Sequence, residues 1–391
     1  MSEVLHLKNR EERRLLSGHL WAFSNEIAWD KASRPLAGES RILLSQRGQK
    51  LGVADVHPGT LIAARVQPLL PSADPDASWW QSFLDARRAE RRLWCGRQGF
   101  FRLLNSDGDQ VPGLTIDDYG SHVVVSAQTA GMERRMSAIV PALLGLGYKG
   151  VLRLNDTWAR ELEGLSREDV WEGESLEEAW VPVHAKASAA ALLGRQKTGF
   201  FLDQDANRRF LAPFGKGKSV LDVRSYTGGW GLAFAAEGAS HVAFCDRDAS
   251  ALGLCDKGWH EAALPGDPEL LLGDAFEMLQ MLGKAQRQFD VVVLDPPAFA
   301  KSRKNVENAL AGYQRLNKLG ASLVAPGGLL VTCSCTGLVE RQDFRLAVLR
   351  GARQARRSLR LLRESGAGLD HPAHPSMPET EYLKCLAFAV D

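Results

Sequence analysis

Four aspartates stand at or just beyond the ends of short apolar runs: Asp222, Asp246, Asp274 and Asp295. The runs predict buried strands, and the carboxyl ends of parallel strands meet at one edge of a sheet. A lone aspartate in such a position is more often a helix cap, whereas four of them at one edge favour a binding site. Asp246 follows Asp222 by 24 positions, close to the roughly 20 at which an acid contacts ribose hydroxyls. We therefore expect Asp246 to bind a ribose and Asp274 to lie near an adenine amino group.

A glycine-rich segment runs from Asp222 to Gly231 and leads into small residues that are typical of a helix. Glycines allow a sharp turn and a close approach of the backbone to a ligand, and the first N–H groups of the helix point toward it. The segment lacks the G-x-G-x-x-G spacing of dinucleotide-binding proteins, and an aspartate ahead of the glycines is typical of the first motif of S-adenosylmethionine-dependent methyltransferases. The predicted cofactor-binding residues are Asp222, Ser225, Tyr226, Thr227, Gly228, Gly229, Asp246, Asp274 and Asp295.

The sequence Asp295-Pro-Pro-Ala-Phe299 follows another predicted strand and indicates where a substrate base binds. Prolines fix backbone dihedral angles, so this pair holds the Asp295 carboxylate and the next carbonyl over the sheet edge, where a flat base could stack on Phe299. A basic segment follows directly, at the point where the phosphates flanking an extruded nucleotide must pass. The predicted substrate-binding residues are Pro296, Pro297, Phe299, Lys301, Arg303 and Lys304.

Two cysteines, Cys333 and Cys335, stand where a further apolar run ends. Carbon 5 of cytosine is not nucleophilic, so its methylation requires a thiolate to add first at carbon 6, and a cysteine beside a methyl donor supplies one. The alternative is that either cysteine is a small buried hydrophobic residue, which is common for free cysteines. The two residues are two positions apart, so in a strand they would point to the same face.

Together these motifs resemble those of bacterial class I ribosomal RNA methyltransferases of the PUA-domain type, which make 5-methylcytosine in large-subunit (23S) RNA. The resemblance covers the whole chain. In that family the nucleophile lies in a Ser-Cys-Ser sequence, which falls on Cys335, so the resemblance implies Cys335 and Asp295 as catalytic residues, with Cys333 as the second choice. It also implies S-adenosylmethionine as the cofactor and ribosomal RNA as the partner. The sequence departs from the family at Arg224, where we expect an apolar residue, and at Thr336 in place of serine.

The resemblance implies an α/β protein with three domains. Residues 1–72 correspond to a small PUA-like β-barrel that binds RNA, residues 76–184 to an α+β middle domain, and residues 185–391 to a doubly wound, Rossmann-like methyltransferase domain. The residue pattern agrees with this division. Strand-like runs with glycine turns precede a proline-rich linker at residues 68–75. A strand–helix–strand block follows the linker, and strand–helix alternation then continues nearly to the end of the chain.

Composition and cysteine usage narrow the class of protein. With 391 residues and 45% hydrophobic content, the chain has enough apolar material for two or three globular domains. Its six cysteines include no Cys-x-x-Cys pair, which indicates reduced thiols rather than disulfides or a metal site. The N-terminus has no signal-like pattern, and no apolar run approaches the ~20 residues that span a bilayer. We therefore expect a cytoplasmic protein with neither a metal nor a membrane partner.

The net charge of +1 hides a basic region, because residues 299–363 contain 13 Lys and Arg against three Asp and Glu. Such an excess is typical of a surface that binds a polyanion. However, residues 344–360 have the periodicity of an amphipathic helix, whose arginines would form a solvated face. We expect that structural explanation for the helix, and we expect RNA contact at residues 301–304.

Two other functions are compatible with parts of the pattern. A methyltransferase acting on a base nitrogen also uses an Asp-Pro-Pro-aromatic platform, but it needs no cysteine because the nitrogen lone pair attacks the methyl group directly. An RNA-binding ribosome assembly factor with a decayed catalytic centre is the third option, and the departure at Arg224 is the feature that favours it. The sequence names neither the nucleotide nor the oligomeric state, and a homodimer is one state that it leaves open.

Overall fold

The computed structural model describes residues 4–30, 34–195, 198–300 and 302–391. These residues form two compact units. The first comprises Met1–Ala179, Leu192–Leu202 and Leu369–Thr380, and the second comprises Trp180–Ala191, Asp203–Gly368 and Glu381–Asp391. The three-domain division expected from the sequence remains a prediction.

The N-terminal part of the first unit is a five-stranded sheet. Its strands are β1 (Val4–His6), β2 (Trp21–Phe23), β3 (Glu39–Leu44), β4 (Lys50–Val56) and β5 (Ile62–Val66), and the short helix α1 (Arg13–Leu16) follows β1. The spatial order is β1-β3-β4-β5-β2. Alternating side chains such as Leu43, Ala54 and Val56 form its buried core. The apolar runs with glycine turns are therefore strands, as the sequence predicted.

The rest of the first unit is a second five-stranded sheet with helices. The strands are β6 (Phe101–Asn105), β7 (Leu114–Asp118), β8 (His122–Ala127), β9 (Gly150–Arg153) and β10 (Val170–Gly173), in the order β10-β9-β8-β7-β6. The helices are α2 (Ala77–Cys95), α3 (Ala130–Gly145) and α4 (Trp158–Leu162). Asp76 and Thr129 cap the first two, because each side chain accepts a hydrogen bond from an amide of the first turn. The apolar faces of α2 and α3 bury Trp80, Leu84 and Ile139.

A buried ion pair joins the two sheets of the first unit. Arg135 of α3 donates from both Nη atoms to the two carboxylate oxygens of Asp55 in β4, at 2.6 and 2.7 Å. Gln67 donates to the same carboxylate at 2.9 Å. Both charged side chains are at most 4% exposed. Bidentate geometry and an additional hydrogen bond are the conditions under which a buried pair is tolerated, and loss of one partner would leave the other charge uncompensated.

The second unit contains a seven-stranded sheet. Its strands are β13 (Ser219–Val223), β14 (His241–Asp246), β15 (Glu269–Leu272), β16 (Phe289–Leu294), β17 (Val324–Ser334), β18 (Leu359–Ser365) and β19 (Lys384–Val390). They follow a hairpin of β11 (Glu178–His184) and β12 (Ala187–Leu192). The helices are α5 (Asp205–Leu211), α6 (Gly229–Ala236), α7 (Ala249–Glu261), α8 (Ala275–Lys284), α9 (Val306–Leu323) and α10 (Arg341–Gln354).

The order of this sheet is β15-β14-β13-β16-β17-β19-β18. The first five strands are parallel, and β19 runs antiparallel to both of its neighbours. Central strands β13 and β16 are buried over almost their whole length, as expected for a parallel sheet covered on both faces. The chain extends from β13 toward β14 and β15 on one side and returns to β16 on the other, so the topological switch point lies beside β13, where doubly wound proteins bind ligands. The predicted fold class is confirmed.

The amphipathic helix predicted over residues 344–360 is shorter than expected. Helix α10 ends at Gln354, and residues 359–365 form the edge strand β18. Arg356 takes the left-handed conformation at φ 57°, and the amide of Arg357 bonds back to the carbonyl of Ala352 at 2.9 Å. This is the hydrogen-bond pattern of a helix that has terminated. Periodicity alone missed the end because the terminating residue is an arginine rather than a glycine.

Candidate functional site

The glycine-rich turn leaves the carboxyl end of β13 and enters α6. The amide of Gly231 donates to Oδ2 of Asp222 at 2.8 Å, which ties the first turn of the helix to the strand end. Gly228 has φ 84°, a conformation that glycine adopts without a steric penalty. A Cβ atom at Gly231 would lie 2.2 Å from the ring of Phe244. Glycine at that position therefore lets α6 pack directly on β14.

Two residues of the turn that are not glycine also have positive φ angles, Arg224 at 64° and Tyr226 at 49°. Such conformations cost about 1–3 kcal/mol each and cluster at functional sites. Strand β14 holds both. The amides of Arg224 and Ser225 donate to the carbonyl of Cys245 at 2.8 and 3.1 Å, and the amide of Tyr226 donates to Oδ2 of Asp246 at 3.0 Å. The amides of the turn thus donate to the neighbouring strand, to one of its carbonyls and to the carboxylate of Asp246, and these bonds fix the turn.

The carboxyl group of Asp222 is fully buried beneath this turn. Desolvation raises its pKa to about 7, and the charges of Asp295 and Asp246 raise it as well, although the hydrogen bond from Gly231 lowers it. Its Oδ1 atom has no hydrogen-bond partner within the described part of the chain. Buried acceptors without a hydrogen-bond donor are rare in proteins, so this oxygen is a candidate for contact with a ligand.

Asp246 and Asp274 follow adjacent strands but have different surroundings. Asp246 accepts the amide of Tyr226 and so braces the glycine turn. Asp274 caps α8 by accepting from the amide of Phe276 at 2.9 Å, and its Oδ2 lies 3.5 Å from Nη2 of Arg224. Arg224, where an apolar residue was expected from the sequence, thus pairs with Asp274. Sequence spacing gave no signal for that pair.

Asp295 follows β16 and receives side-chain hydrogen bonds from two residues that sequence analysis did not assign. Nε2 of Gln204 and Nε1 of Trp230 both donate to Oδ2 of Asp295, at 3.1 and 3.0 Å. Asn207 in turn donates to Oε1 of Gln204 at 2.8 Å. Trp230 lies within the glycine-rich segment, but no spacing rule connects either Trp230 or Gln204 to Asp295. Their hydrogen bonds fix the orientation of the carboxyl group through one of its oxygens.

The loop after β17 brings Cys335 to the Asp-Pro-Pro segment. Sγ of half-buried Cys335 lies 3.9 Å from the carbonyl oxygen of Pro296. The residues on either side are anchored, because Ser334 Oγ donates to the hydroxyl of Tyr313 at 3.0 Å and Thr336 Oγ1 donates to a carbonyl of the segment after β16 at 3.3 Å. The two loops that carry the predicted catalytic residues are thus in contact.

The structure corrects the expectation that Cys333 and Cys335 share a strand face. Strand β17 ends at Ser334, so its alternation does not extend to Cys335. Cys333 is fully buried opposite Cys385 of β19. Burial raises the pKa of the Cys333 thiol well above its usual value, and the neighbouring Cys385 raises it further. A thiol in these surroundings remains protonated, whereas nucleophilic attack requires a thiolate.

The remaining residues predicted to bind the substrate lie in different environments. Pro296 is buried and Pro297 is exposed. The half-buried ring of Phe299 packs on Tyr313, with a centroid distance of 4.6 Å, rather than standing free above the sheet edge. Base stacking on Phe299 therefore stays a prediction. Lys301 lies outside the described residues. Arg303 and Lys304 are exposed in a short 3₁₀ helix just before α9.

Much of the basic excess of residues 299–363 is neutralised locally. Arg341 and Arg345 both pair with Glu364 of β18. Arg360 pairs with Asp391 at 2.8 Å. Helix α10 buries its apolar face, including Phe344, Ala347 and Val348, which supports the structural explanation for its arginines. A polyanion contact at exposed Arg303 and Lys304 stays a prediction.

The glycine turn has the chemistry of a site for S-adenosylmethionine. Asp222, Asp246 and Asp295 are close enough for the latter two charges to raise the pKa of the first, and the Asp222 Oδ1 atom is unsatisfied within the described residues. A ligand with positively charged sulfonium and ammonium groups would offset this repulsion. No group of His, Cys, Asp and Glu in the described ranges could hold a metal ion. In those same ranges no helix is long and apolar enough to cross a membrane.

Residues 164–388 match the family model of S-adenosylmethionine-dependent methyltransferases, and residues 5–67 match that of a PUA-like domain. Ribosomal RNA large subunit methyltransferase I of Photobacterium profundum is 31% identical over 399 residues, which cover 99% of each chain. The protein of the same name from Aeromonas salmonicida is 33% identical over 398 residues, again covering 99% of each chain.

Solved structures share the fold over almost the whole chain. A SAM-dependent methyltransferase from Streptococcus mutans has a TM-score of 0.81 and 20% sequence identity, covering 99% of this chain and 100% of that one. A second solved structure with the same TM-score, identity and coverage is a methyltransferase complexed with SAH. At this level of identity the likeness concerns the fold.

Proposed function

Because the chain belongs to the family of S-adenosylmethionine-dependent methyltransferases that carry an N-terminal PUA-like domain, we propose that it methylates carbon 5 of a cytosine in large-subunit ribosomal RNA. The RNA class follows from the names of the full-length relatives. The observation that carries the cytosine chemistry is the half-buried thiol of Cys335, 3.9 Å from the carbonyl oxygen of Pro296. This contact joins a nucleophile to the segment that would hold the base.

The proposed reaction begins with addition of the Cys335 thiolate to carbon 6 of the cytosine, which forms an Sγ–C6 bond and moves the C5–C6 π electrons toward carbon 5. When bound, S-adenosylmethionine would supply the electrophilic methyl group that carbon 5 takes, with its methyl–sulfur bond breaking and S-adenosylhomocysteine leaving. Loss of the carbon 5 proton to a base restores the C5–C6 double bond and breaks the Sγ–C6 bond. The thiolate is thereby regenerated.

Asp295 would hold the base during this addition. Its carboxyl group is oriented through Oδ2 by Gln204 and Trp230. A proton on the other oxygen, donated in a hydrogen bond to the ring nitrogen of cytosine, would draw electrons from the ring and make carbon 6 more electron-poor. On the cofactor side, we propose that the Ser225–Gly231 turn approaches the methyl donor, with Asp246 on the ribose hydroxyls and Asp274 near the adenine. Charge-assisted hydrogen bonds of this kind are worth ~1.5–3 kcal/mol each.

RNA binding is proposed for the small N-terminal sheet and for the segment after Phe299. Arg303 and Lys304 are exposed beside the Asp-Pro-Pro loop, where backbone phosphates next to an opened base would pass. Lys301, outside the described residues, remains part of this proposal from the sequence alone. RNA sequence is usually read where bases are splayed out, so we expect a single-stranded or opened target.

Methylation of a base nitrogen is the competing function. It would use the same Asp-Pro-Pro segment and would leave Cys335 without a chemical role, so its contact with Pro296 favours carbon 5. A decayed assembly factor is disfavoured by the paired and oriented state of Asp246, Asp274 and Asp295. Between the cysteines, full burial of Cys333 favours Cys335 as the nucleophile.

The test uses large-subunit ribosomal RNA that carries 5-fluorocytosine at the target. Fluorine blocks the elimination step, so the wild-type enzyme should remain covalently attached to the RNA in the presence of S-adenosylmethionine. Cys335→Ser should abolish both the adduct and the methylation of normal RNA. Cys333→Ser and Cys95→Ser are matched controls that should retain both. Normal methylation by Cys335→Ser would overturn the proposal, and the adduct assay on Cys333→Ser would then separate a different nucleophile from attack by nitrogen.

A further inference from the structure

Lys384 is a buried lysine beside the loop that carries Cys335. It is the first residue of β19 and lies directly opposite Ser334 in the antiparallel pair with β17. Only 3% of its surface is exposed. Its Nζ atom donates to the carbonyl oxygen of Thr336 at 2.5 Å and to that of Tyr382 at 3.2 Å. Lys384 therefore contacts both neighbours of Cys335, because its backbone pairs with the residue before it and its ammonium bonds to the residue after it.

The hydrogen bonds of this ammonium are made to neutral carbonyls, and within the described residues no carboxylate forms an ion pair with Lys384 within 4.0 Å. A buried charge is costly unless nearby charges compensate it. A buried cation next to a reactive group is typical of a functional site.

The charged groups that face Lys384 are Arg341, Glu340 and Cys335. Burial lowers the pKa of Lys384 and the charge of Arg341 lowers it further, whereas Glu340 and Cys335 raise it. A thiolate at Cys335 is thus one of two anions that would stabilise the ammonium. On the other side of the loop, Cys335 and Asp295 both raise the pKa of the Tyr313 hydroxyl. A negative charge on Cys335 would therefore form in the neighbourhood of the Asp295 carboxylate, and a nearby cation would offset their repulsion.

We propose that Lys384 is a positioning residue that stabilises the thiolate form of Cys335 and fixes the loop on which the thiol stands. The inference rests on the proposed role of Cys335 as the nucleophile. On ionisation the thiol proton passes to water, and the negative charge that forms on Sγ pairs electrostatically with the ammonium. The bond from Nζ to the Thr336 carbonyl holds the backbone next to Sγ, so one side chain supplies both charge and geometry.

The experiment measures the rate of iodoacetamide alkylation of Cys335 against pH, by mass spectrometry of its peptide, in the full-length protein. Wild type, Lys384→Met, Lys384→Arg and the surface control Lys284→Met are compared, and half-buried Cys95 serves as an internal reference. Wild-type Cys335 should show a pKa below the ~8.5 of a free cysteine. Lys384→Met should raise the pKa of Cys335 by about one unit or more, whereas Lys384→Arg should keep it close to the wild-type value. The pKa of Cys95 should be the same in every variant.

The outcome for Lys384 is independent of the outcome for the reaction. An unchanged alkylation profile in folded Lys384→Met would overturn the inference even if Cys335→Ser abolishes methylation. Conversely, methylation by Cys335→Ser would overturn the proposed function while leaving a shifted thiol pKa intact. If Lys384→Met does not fold, the wild-type profile decides, because a Cys335 pKa at or above that of Cys95 would contradict thiolate stabilisation.

Discussion

The glycine turn after β13 and the loops after β16 and β17 are built in opposite ways. The turn is held by backbone amides that bond to its own strand and to β14, as in the bond from Gly231 to Asp222. The loops depend on side chains from distant parts of the chain, such as Gln204, Trp230 and Lys384. The contrast teaches that the turn depends on the two carboxylates that accept its amides, Asp222 and Asp246, whereas the predicted catalytic groups are positioned by side chains from other elements.

The largest effect is expected at the loops. Asp295→Asn should lower single-turnover methylation by about 10²–10⁴-fold, the range associated with an acid–base group, with a much smaller change in cofactor affinity measured by calorimetry. Trp230→Phe removes only one donor to Asp295 and should give an intermediate loss, while the exposed Trp94→Phe should give none. A loss of affinity as large as the loss of rate would mean that Asp295 serves the cofactor instead.

A smaller effect is expected at the turn. Asp246→Ala removes a carboxylate proposed to accept ribose hydroxyls and should weaken S-adenosylmethionine binding by ~1.5–3 kcal/mol, or about ten- to a hundredfold. Asp246→Asn, which keeps an acceptor for the Tyr226 amide, should lose less. Calorimetry gives both dissociation constants, and unchanged affinity in Asp246→Ala would remove this residue from the site.

The pH dependence of stability tests the buried carboxyl group of Asp222, which belongs to the turn and not to the loops. Its carboxyl pKa is raised to about 7 by burial, above the ~3.9 of an unfolded chain. Between about pH 4 and about pH 7 this carboxyl is ionised in the unfolded chain but still protonated in the folded protein. The free energy of unfolding therefore falls as the pH rises through this range, and above about pH 7 the loss stays constant. Asp222→Asn keeps an acceptor for Gly231 and should gain stability relative to wild type over that window. Denaturant titrations at pH 4 and 8 measure the difference in unfolding free energy between Asp222→Asn and wild type. The same difference at both pH values would contradict the raised pKa of Asp222.

The smallest effect concerns RNA. Arg303→Gln with Lys304→Gln should weaken RNA binding a few-fold at moderate salt and reduce the slope of log affinity against log salt by ~0.7 for each phosphate that the variant no longer neutralises. Methylation at saturating RNA should stay near wild type, because neither residue touches the reacting atoms. Filter binding at several salt concentrations measures the slope, and an unchanged slope would place the phosphates elsewhere.

The sequence predicted what depends on local pattern. Asp222 to Gly231 is one continuous segment, so the turn and its place beside β13 followed from glycine spacing and the apolar run. Strand ends marked by Asp246 and Asp295 were predictable for the same reason. The partner of Asp274 was not, because Arg224 reaches it only when β13 and β15 flank β14 in the sheet.

Neighbours across the sheet account for what the sequence did not show. Lys384 lies next to Cys335 only because β19 inserts between β17 and β18, and that order leaves no trace in residue spacing. The difference between Cys333 and Cys335 depends on the exact end of β17 at Ser334, which apolar runs define only to within a few residues. The shorter helix α10 reflects the same limit, since an arginine took the left-handed terminating position.

The ion pair between Asp55 and Arg135 makes the first unit mechanically continuous. Separating β4 from α3 would isolate a guanidinium and a carboxylate that bond to each other through two hydrogen bonds, so moving the small sheet away from α3 costs free energy. Heat should therefore melt the two sheets in one cooperative step rather than two. A ligand bound to the small sheet, such as the RNA proposed above, would therefore keep a fixed position relative to α3.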